Sequence, residues 1–118
     1  MGSLRPLVTV LMPVYNGKRY LSQAIKSILN QTFNEFEFII IDDESTDNSI
    51  EIIKSYDDPR IKLIKNNYNL GLTTTLNKGI ELSKGKYIAR LDQDDISKSN
   101  RLSLQVDFFF NNRCIVLL

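Results

Sequence analysis

Short apolar runs alternate along the chain with stretches in which apolar residues recur every three or four positions. Leu7–Met12 (LVTVLM), Phe36–Ile41 (FEFIII), Ile61–Ile64 (IKLI) and Tyr87–Leu91 (YIARL) have the length and β-branched content of buried strands. The first is expected to end at Pro13, and the alternation of the third suggests a sheet edge. Tyr20, Leu21, Ala24, Ile25, Ile28 and Leu29 share one face of a helix over about 18–31. Ile50, Ile53 and Tyr56 predict a second helix, with candidate caps in Ser45–Asn48 and a break at Asp57-Asp58-Pro59. Leu72, Leu76 and Ile80 predict a third reaching Lys84, with Gly85 as the residue that ends it. Leu102, Val106, Phe109 and Phe110 predict a fourth over 100–111, and Ile115–Leu118 reads as a fifth strand.

This alternation implies an α/β fold: a mostly parallel, open sheet with helices on both faces and right-handed crossovers. The 118 residues suit one domain, 1–118. Apolar content of 42% and charged content of 25% are ordinary for a globular chain. Fifteen basic and fourteen acidic residues balance to +1, which gives no reason to expect nucleic acid or an anionic membrane as partner. With no histidine, the chain can build neither a histidine-ligated zinc site nor a Ser-His-Asp triad. The single cysteine, Cys114, forms no internal disulfide and fits a reducing, cytoplasmic compartment. No apolar stretch is long enough to span a bilayer, so membrane association would have to come through other regions.

Three of the predicted strands end in polar loops with ligand-like groups: Pro13–Gly17, Asp42–Ser45 and Asp92–Asp95. In open α/β sheets such loops line the crevice at the carboxyl edge of the strands, where ligands bind. The last loop carries most of the chemistry. In KYIARLDQDD an apolar run stops abruptly at Asp92, Asp94 and Asp95. If the chain stays extended through Gln93, Asp92 and Asp94 point to one side and Asp95 away from Asp94. Crowded carboxylates repel unless compensated, and a hard cation such as Mg²⁺ or Mn²⁺, shared with a phosphorylated ligand, compensates them. The simpler reading is a solvated acidic turn that caps the following helix.

Several nucleotide-binding classes do not fit. After the first strand the sequence is MPVYNG, with one glycine instead of a dinucleotide-binding turn, and there is no GxxxxGK[ST] loop. An EF-hand would need an oxygen ligand at Ile96 and glycine at Ser97. A phosphoacceptor receiver domain shares the alternation and an acidic pair, but its pair follows the first strand, whereas Asp42-Asp43 follows the second.

The run VTVLMPVYNGKRYLSQAIKSILNQTFNEFEFIIIDDESTDNS, with NLG and LDQDD downstream, resembles the nucleotide-sugar-binding half of a family 2 glycosyltransferase of the Rossmann-like GT-A fold. The resemblance runs from about Val8 to Phe110. It implies a transferase, hexosyltransferase-like, that moves a sugar from a nucleotide diphosphate sugar to an acceptor hydroxyl on a glycan, lipid or protein, as in cell-wall or polysaccharide synthesis. It implies a UDP-sugar donor, inversion, and dependence on Mn²⁺ or Mg²⁺. By the same resemblance Pro13 and Tyr15 pack on the nucleobase, Asp43 hydrogen-bonds it, Asp92 lies near the ribose or metal, and Asp94 ligates the metal. Asn69 and Gly71 fall where the family often has an N-x-G near the donor. A capping role for Asp43, at the start of the next helix, is the alternative.

Two departures stand out. Glu44 occupies the place of the family's usual glycine in D-D-G-S. The family's general base lies downstream of D-x-D in an acceptor-binding half, and nothing in Ile96–Leu118 matches it. The expectation is therefore a truncated chain, inactive alone, whose apolar Cys114–Leu118 segment promotes self-association. A module that binds nucleotide diphosphates without transfer is the second reading.

Overall fold

The computed structural model of the protein describes residues 6–112. Along the chain lie β1 (Val8–Val14), α1 (Leu21–Leu29), β2 (Phe36–Asp42), α2 (Ser49–Lys54), β3 (Ile61–Lys65), α3 (Leu72–Leu82), β4 (Tyr87–Arg90) and α4 (Arg101–Asn112). The expected fifth strand and the expected association through Cys114–Leu118 fall outside the described residues.

The strands form one parallel sheet in the order β3-β2-β1-β4. The chain builds outward from β1 through β2 to β3, then returns to the far side of β1 for β4. The order reverses between β1 and β4, and there the loops leaving adjacent strands diverge and open a crevice. This order also removes the receiver reading: in the 2-1-3-4-5 order of that fold β2 lies at an edge, whereas here β2 pairs with both β1 and β3. As its alternation suggested, β3 lies at an edge of the described sheet.

Helices cover both faces, unequally. Val8, Val10, Met12, Phe38 and Ile40 point to one side, where α1 contributes Leu21, Ala24, Ile25 and Ile28, α2 Ile53, and α4 Leu102 and Val106. Leu11, Ile39 and Ile41 point to the other, against Leu76 of α3. β1 and β2 are buried along their whole lengths, which explains why they read as continuous apolar runs. Burying each such Leu, Ile or Phe side chain contributes about 1.5–3 kcal/mol.

Three expectations about boundaries change. Pro13 does not end β1, which runs to Val14 and pairs Pro13 with Ile41. The backbone of Leu11 faces β4, accepting the Leu91 N–H, and that of Val14 faces β2, accepting the Asp43 N–H. By alternation Pro13 faces the β4 side, where pairing stops at Leu11–Arg90, so its missing N–H has no partner to lose. The first helix is shorter than 18–31, beginning at Leu21 after a turn in which Gly17 O accepts the Tyr20 and Leu21 N–H groups. Gly85 does not end α3, whose C-cap is Ser83. Gly85 is needed for close approach instead, since a Cβ there would sit 2.4 Å from the backbone N of Thr9.

Candidate functional site

At the carboxyl edge, beside the β1–β4 reversal, lies a cleft of about 420 Å³. Pro13, Tyr15, Asp43, Asn69, Gly71, Asp92 and Asp94 all line it. Every site residue read from the sequence therefore meets in one place, brought there by the ends of four strands. Tyr15 stands at 47% exposure, with its ring available to a ligand.

Asp43 is 5% exposed and held by the segment between β3 and α3. Its Oδ1 accepts from Asn66 Nδ2 at 2.8 Å and Leu70 N at 2.7 Å, and its Oδ2 from Gly71 N at 3.0 Å. Asn69 Nδ2 donates to its backbone carbonyl at 3.2 Å. Burial pushes the Asp43 carboxyl up, but the Leu70 N–H, Asn66 amide, Gly71 N–H and Thr75 hydroxyl outweigh it and hold the group below its ordinary value. The capping alternative is thus corrected in its target. Asp43 does not cap the helix that follows it; it holds the Leu70–Gly71 turn at the start of α3, where Gly71 is the N-cap at φ 89°. Of these direct bonds two fall on Oδ1 and one on Oδ2, with the Thr75 hydroxyl as a further neighbour, so Oδ2 is the oxygen with capacity to share with a ligand N–H.

The loop after β2 is held by the other aspartates. Asp42 accepts from Ser45 N at 2.9 Å and Ser45 Oγ at 2.6 Å. Asp47 accepts from Ser49 N at 2.9 Å and Ser49 Oγ at 2.6 Å just ahead of α2, whose N-cap is Asn48. Asn16, in left-handed backbone at φ 49°, turns its Oδ1 to Thr46 N at 2.7 Å and so locks the β1 loop to the β2 loop. Glu44 also sits in left-handed backbone, at φ 60°. That conformation strains a side-chain-bearing residue and suits glycine, which accounts physically for the glycine expected at this place.

The acidic loop is not extended. Asp95 N donates to Asp92 O at 3.0 Å, closing a turn through Gln93 and Asp94, and the Asp95 carboxylate folds back to accept Asp92 N at 3.2 Å. The repulsion anticipated from sequence is partly relieved by arginines. Arg90 Nε donates to Asp92 Oδ1 at 3.0 Å, and half-buried Arg101 is drawn electrostatically to Asp95. Among the described residues no three Asp, Glu, Cys or His side chains gather as a ligand set. Asp94 is exposed and its carboxylate has no hydrogen bond to another described residue; Asp92 Oδ2 is likewise uncommitted. Two carboxylates with uncommitted oxygens lining one cleft suit a hard cation that takes its remaining ligands from phosphates and water.

Sequence reading missed Asn66, Arg90 and Gln93. Arg90 left a signal, since residues two apart at a strand end lie on the same side and pair Arg90 with Asp92. Asn66 left none: its Nδ2 serves Asp43 and Thr75 and its Oδ1 accepts from Lys78 Nζ at 2.8 Å, all partners beyond local spacing. Gln93 was read only as a spacer, yet its amide reaches back to Tyr15.

Comparisons with known proteins agree with this geometry. An uncharacterized glycosyltransferase of Methanocaldococcus jannaschii is 47% identical over 118 residues, which take in 97% of this chain and 41% of that protein. A protein of Escherichia coli named UDP-Glc:alpha-D-GlcNAc-diphosphoundecaprenol beta-1,3-glucosyltransferase is 37% identical over 106 residues, 90% of this chain and 42% of that one. The crystal structure of S. aureus TarS 1-349 in complex with UDP-GlcNAc matches with a TM-score of 0.85 at 25% identity, over 90% of this chain and 32% of that one. The chain thus spans less than half the length of each. The likeness to TarS bears out the GT-A expectation for the sheet and its helices. The family model described as glycosyl transferase family 2 matches residues 9–118, and the chain belongs to that family.

Proposed function

We propose that the cleft binds the donor of a sugar transfer, a nucleotide diphosphate sugar, and that the protein serves a glycosyltransferase that passes the sugar to an acceptor hydroxyl with inversion. The observation that carries this reading is the meeting of an exposed aromatic ring, a buried carboxylate facing the cleft, and two carboxylates with uncommitted oxygens in one crevice at the β1–β4 reversal.

The Tyr15 ring supplies a flat face for the base, and Pro13 an apolar floor. Asp43, kept ionised by its donors, accepts an N–H from the base edge. Asp92 and Asp94 face the ribose and diphosphate and would hold Mn²⁺ or Mg²⁺ there. When bound, that cation neutralises the diphosphate as it departs. The names of the E. coli relative and of the TarS complex both carry a uridine diphosphate sugar, which supports uracil as the base and a UDP-sugar as the donor.

Because the chain covers less than half of its relatives, binding is the fitting readout. A calorimetric screen of uridine and guanosine diphosphate sugars, each with Mn²⁺ and with chelator, tests the reading. The expected result is binding of uridine diphosphate sugars that strengthens with Mn²⁺. Absence of binding by every nucleotide sugar overturns it.

A further inference from the structure

Tyr15 lies one residue beyond β1, where β4 no longer runs alongside to pair with it. Its backbone is nonetheless paired. The Gln93 carboxamide accepts from Tyr15 N at 2.8 Å through Oε1 and donates to Tyr15 O at 3.0 Å through Nε2. One donor and one acceptor on a flat amide reproduce what a strand's peptide group offers. Gln93 thus continues the β1–β4 ladder with a side chain, across 78 positions of sequence. Gly17 packs against the same amide, and a Cβ there would come within 2.6 Å of Gln93 Oε1. Among side chains only Gln and Asn offer donor and acceptor on one amide plane. Gln93 also stands between Asp92 and Asp94, so the residue that holds the Tyr15 backbone belongs to the acidic turn itself.

We propose that Gln93 is a positioning residue that fixes the aromatic wall of the cleft to the acidic turn, so that binding at Asp92–Asp94 and the fit of the base against Tyr15 are coupled. This rests on the nucleotide reading above. Gln93 touches neither base nor phosphate in the proposal; it acts through the Tyr15 backbone. Its loss therefore reduces recognition of the nucleoside selectively, whereas a general structural role would weaken every ligand alike.

The test compares uridine diphosphate with inorganic diphosphate, both with Mn²⁺, on the native protein, Gln93→Ala, Tyr15→Ala and the double variant. In Gln93→Ala the ratio of the two affinities falls about tenfold, the weight of one ordinary hydrogen bond. In the Tyr15→Ala background the same change has almost no further effect, because the two residues act as one unit. Gly17→Ala, which displaces the amide without removing it, lowers the ratio in the same direction. Equal weakening of both ligands, or full additivity of the two substitutions, overturns the inference while leaving the nucleotide reading intact. Failure of the native protein to bind uridine diphosphate overturns the nucleotide reading. Amide hydrogen exchange then decides the clamp by itself: Tyr15 N–H exchanges faster in Gln93→Ala, and an unchanged rate refutes the clamp.

Discussion

Each end of β2 carries a buried carboxylate ringed by donors. Glu37, near the start of the strand, is 3% exposed, and Asp43, just past its end, is 5% exposed. Burial pushes the Glu37 carboxyl up, but Lys62, the Thr9 hydroxyl and the Lys84 N–H outweigh it and hold it below its ordinary value. Asp43 is held below its own by neutral groups alone. The two differ in the charge of their donors and in what they face. Glu37 receives Lys62 Nζ at 2.8 Å, Thr9 Oγ1 at 2.6 Å and Lys84 N at 2.6 Å, with a cation among them, and it is not part of the cleft. Asp43 carries as many direct side-chain bonds, all from neutral donors, but it faces the cleft. A perturbed carboxyl is therefore no mark of a binding site here. An open crevice beside the carboxylate is.

The largest effect that separates the two ends is expected from Glu37→Ala. It leaves the buried Thr9 hydroxyl without its acceptor, at about 1–3 kcal/mol of folding stability for a buried unsatisfied group, and removes the acceptor of the Lys84 N–H as well. Urea denaturation should show a lower midpoint, and uridine diphosphate affinity should not change. Asp43→Ala should reduce both quantities. Binding should weaken by about 1–3 kcal/mol, and stability should fall comparably, because Leu70 N, Gly71 N and Asn66 lose their acceptor. Unchanged affinity in Asp43→Ala would place Asp43 with Glu37 as a purely structural group.

Acid should act on both ends together. A carboxyl whose pKa is lower folded than unfolded stabilises the protein above its unfolded pKa, and that contribution is lost as pH falls through the folded one. Both groups are lowered, so stability should be flat near neutrality and decline below the ordinary carboxylate range. Thermal melts from pH 7 downward check the sign. Glu37→Gln should flatten the decline, whereas a surface aspartate changed to asparagine should not.

The smallest effect lies beside Asp43. Replacing Glu44 by glycine relieves left-handed strain at φ 60° but gives the unfolded chain more freedom, for a net gain of roughly 0.5–1 kcal/mol. A rise in melting temperature with unchanged nucleotide affinity is expected. A changed affinity would show that the Glu44 carboxylate acts on the cleft.

The elements and the members of the cleft were legible because their signals are local. Apolar runs gave β1 to β4, helical spacing gave the helices, loops at strand ends gave the stretches 13–17, 42–45 and 92–95, and the family resemblance singled out Tyr15 and Asp43 within them. What sequence did not show is how the loops hold one another. Asp43 takes donors 23 to 28 positions away, and Gln93 reaches back 78; no periodicity records such pairs. Pro13 misled as a strand end because proline lacks a donor, and only the strand order shows that no acceptor waits there. The acidic turn misled in a similar way, since its folding back depends on a hydrogen bond between Asp95 and Asp92 and on Arg90 and Arg101 nearby.

Coupling between cation and nucleotide at Asp94 is the most direct test of the central claim. Uridine diphosphate titrated calorimetrically into the native protein should bind more tightly with Mn²⁺ than with chelator, by about 1–3 kcal/mol, or roughly 5–150-fold. Asp94→Asn preserves shape and removes charge; it should abolish that gain and leave the metal-free affinity equal or slightly better. Asp95→Asn should matter less, since that carboxylate is turned back onto the Asp92 N–H. Full Mn²⁺ enhancement in Asp94→Asn would contradict the account and return the acidic loop to a solvated turn.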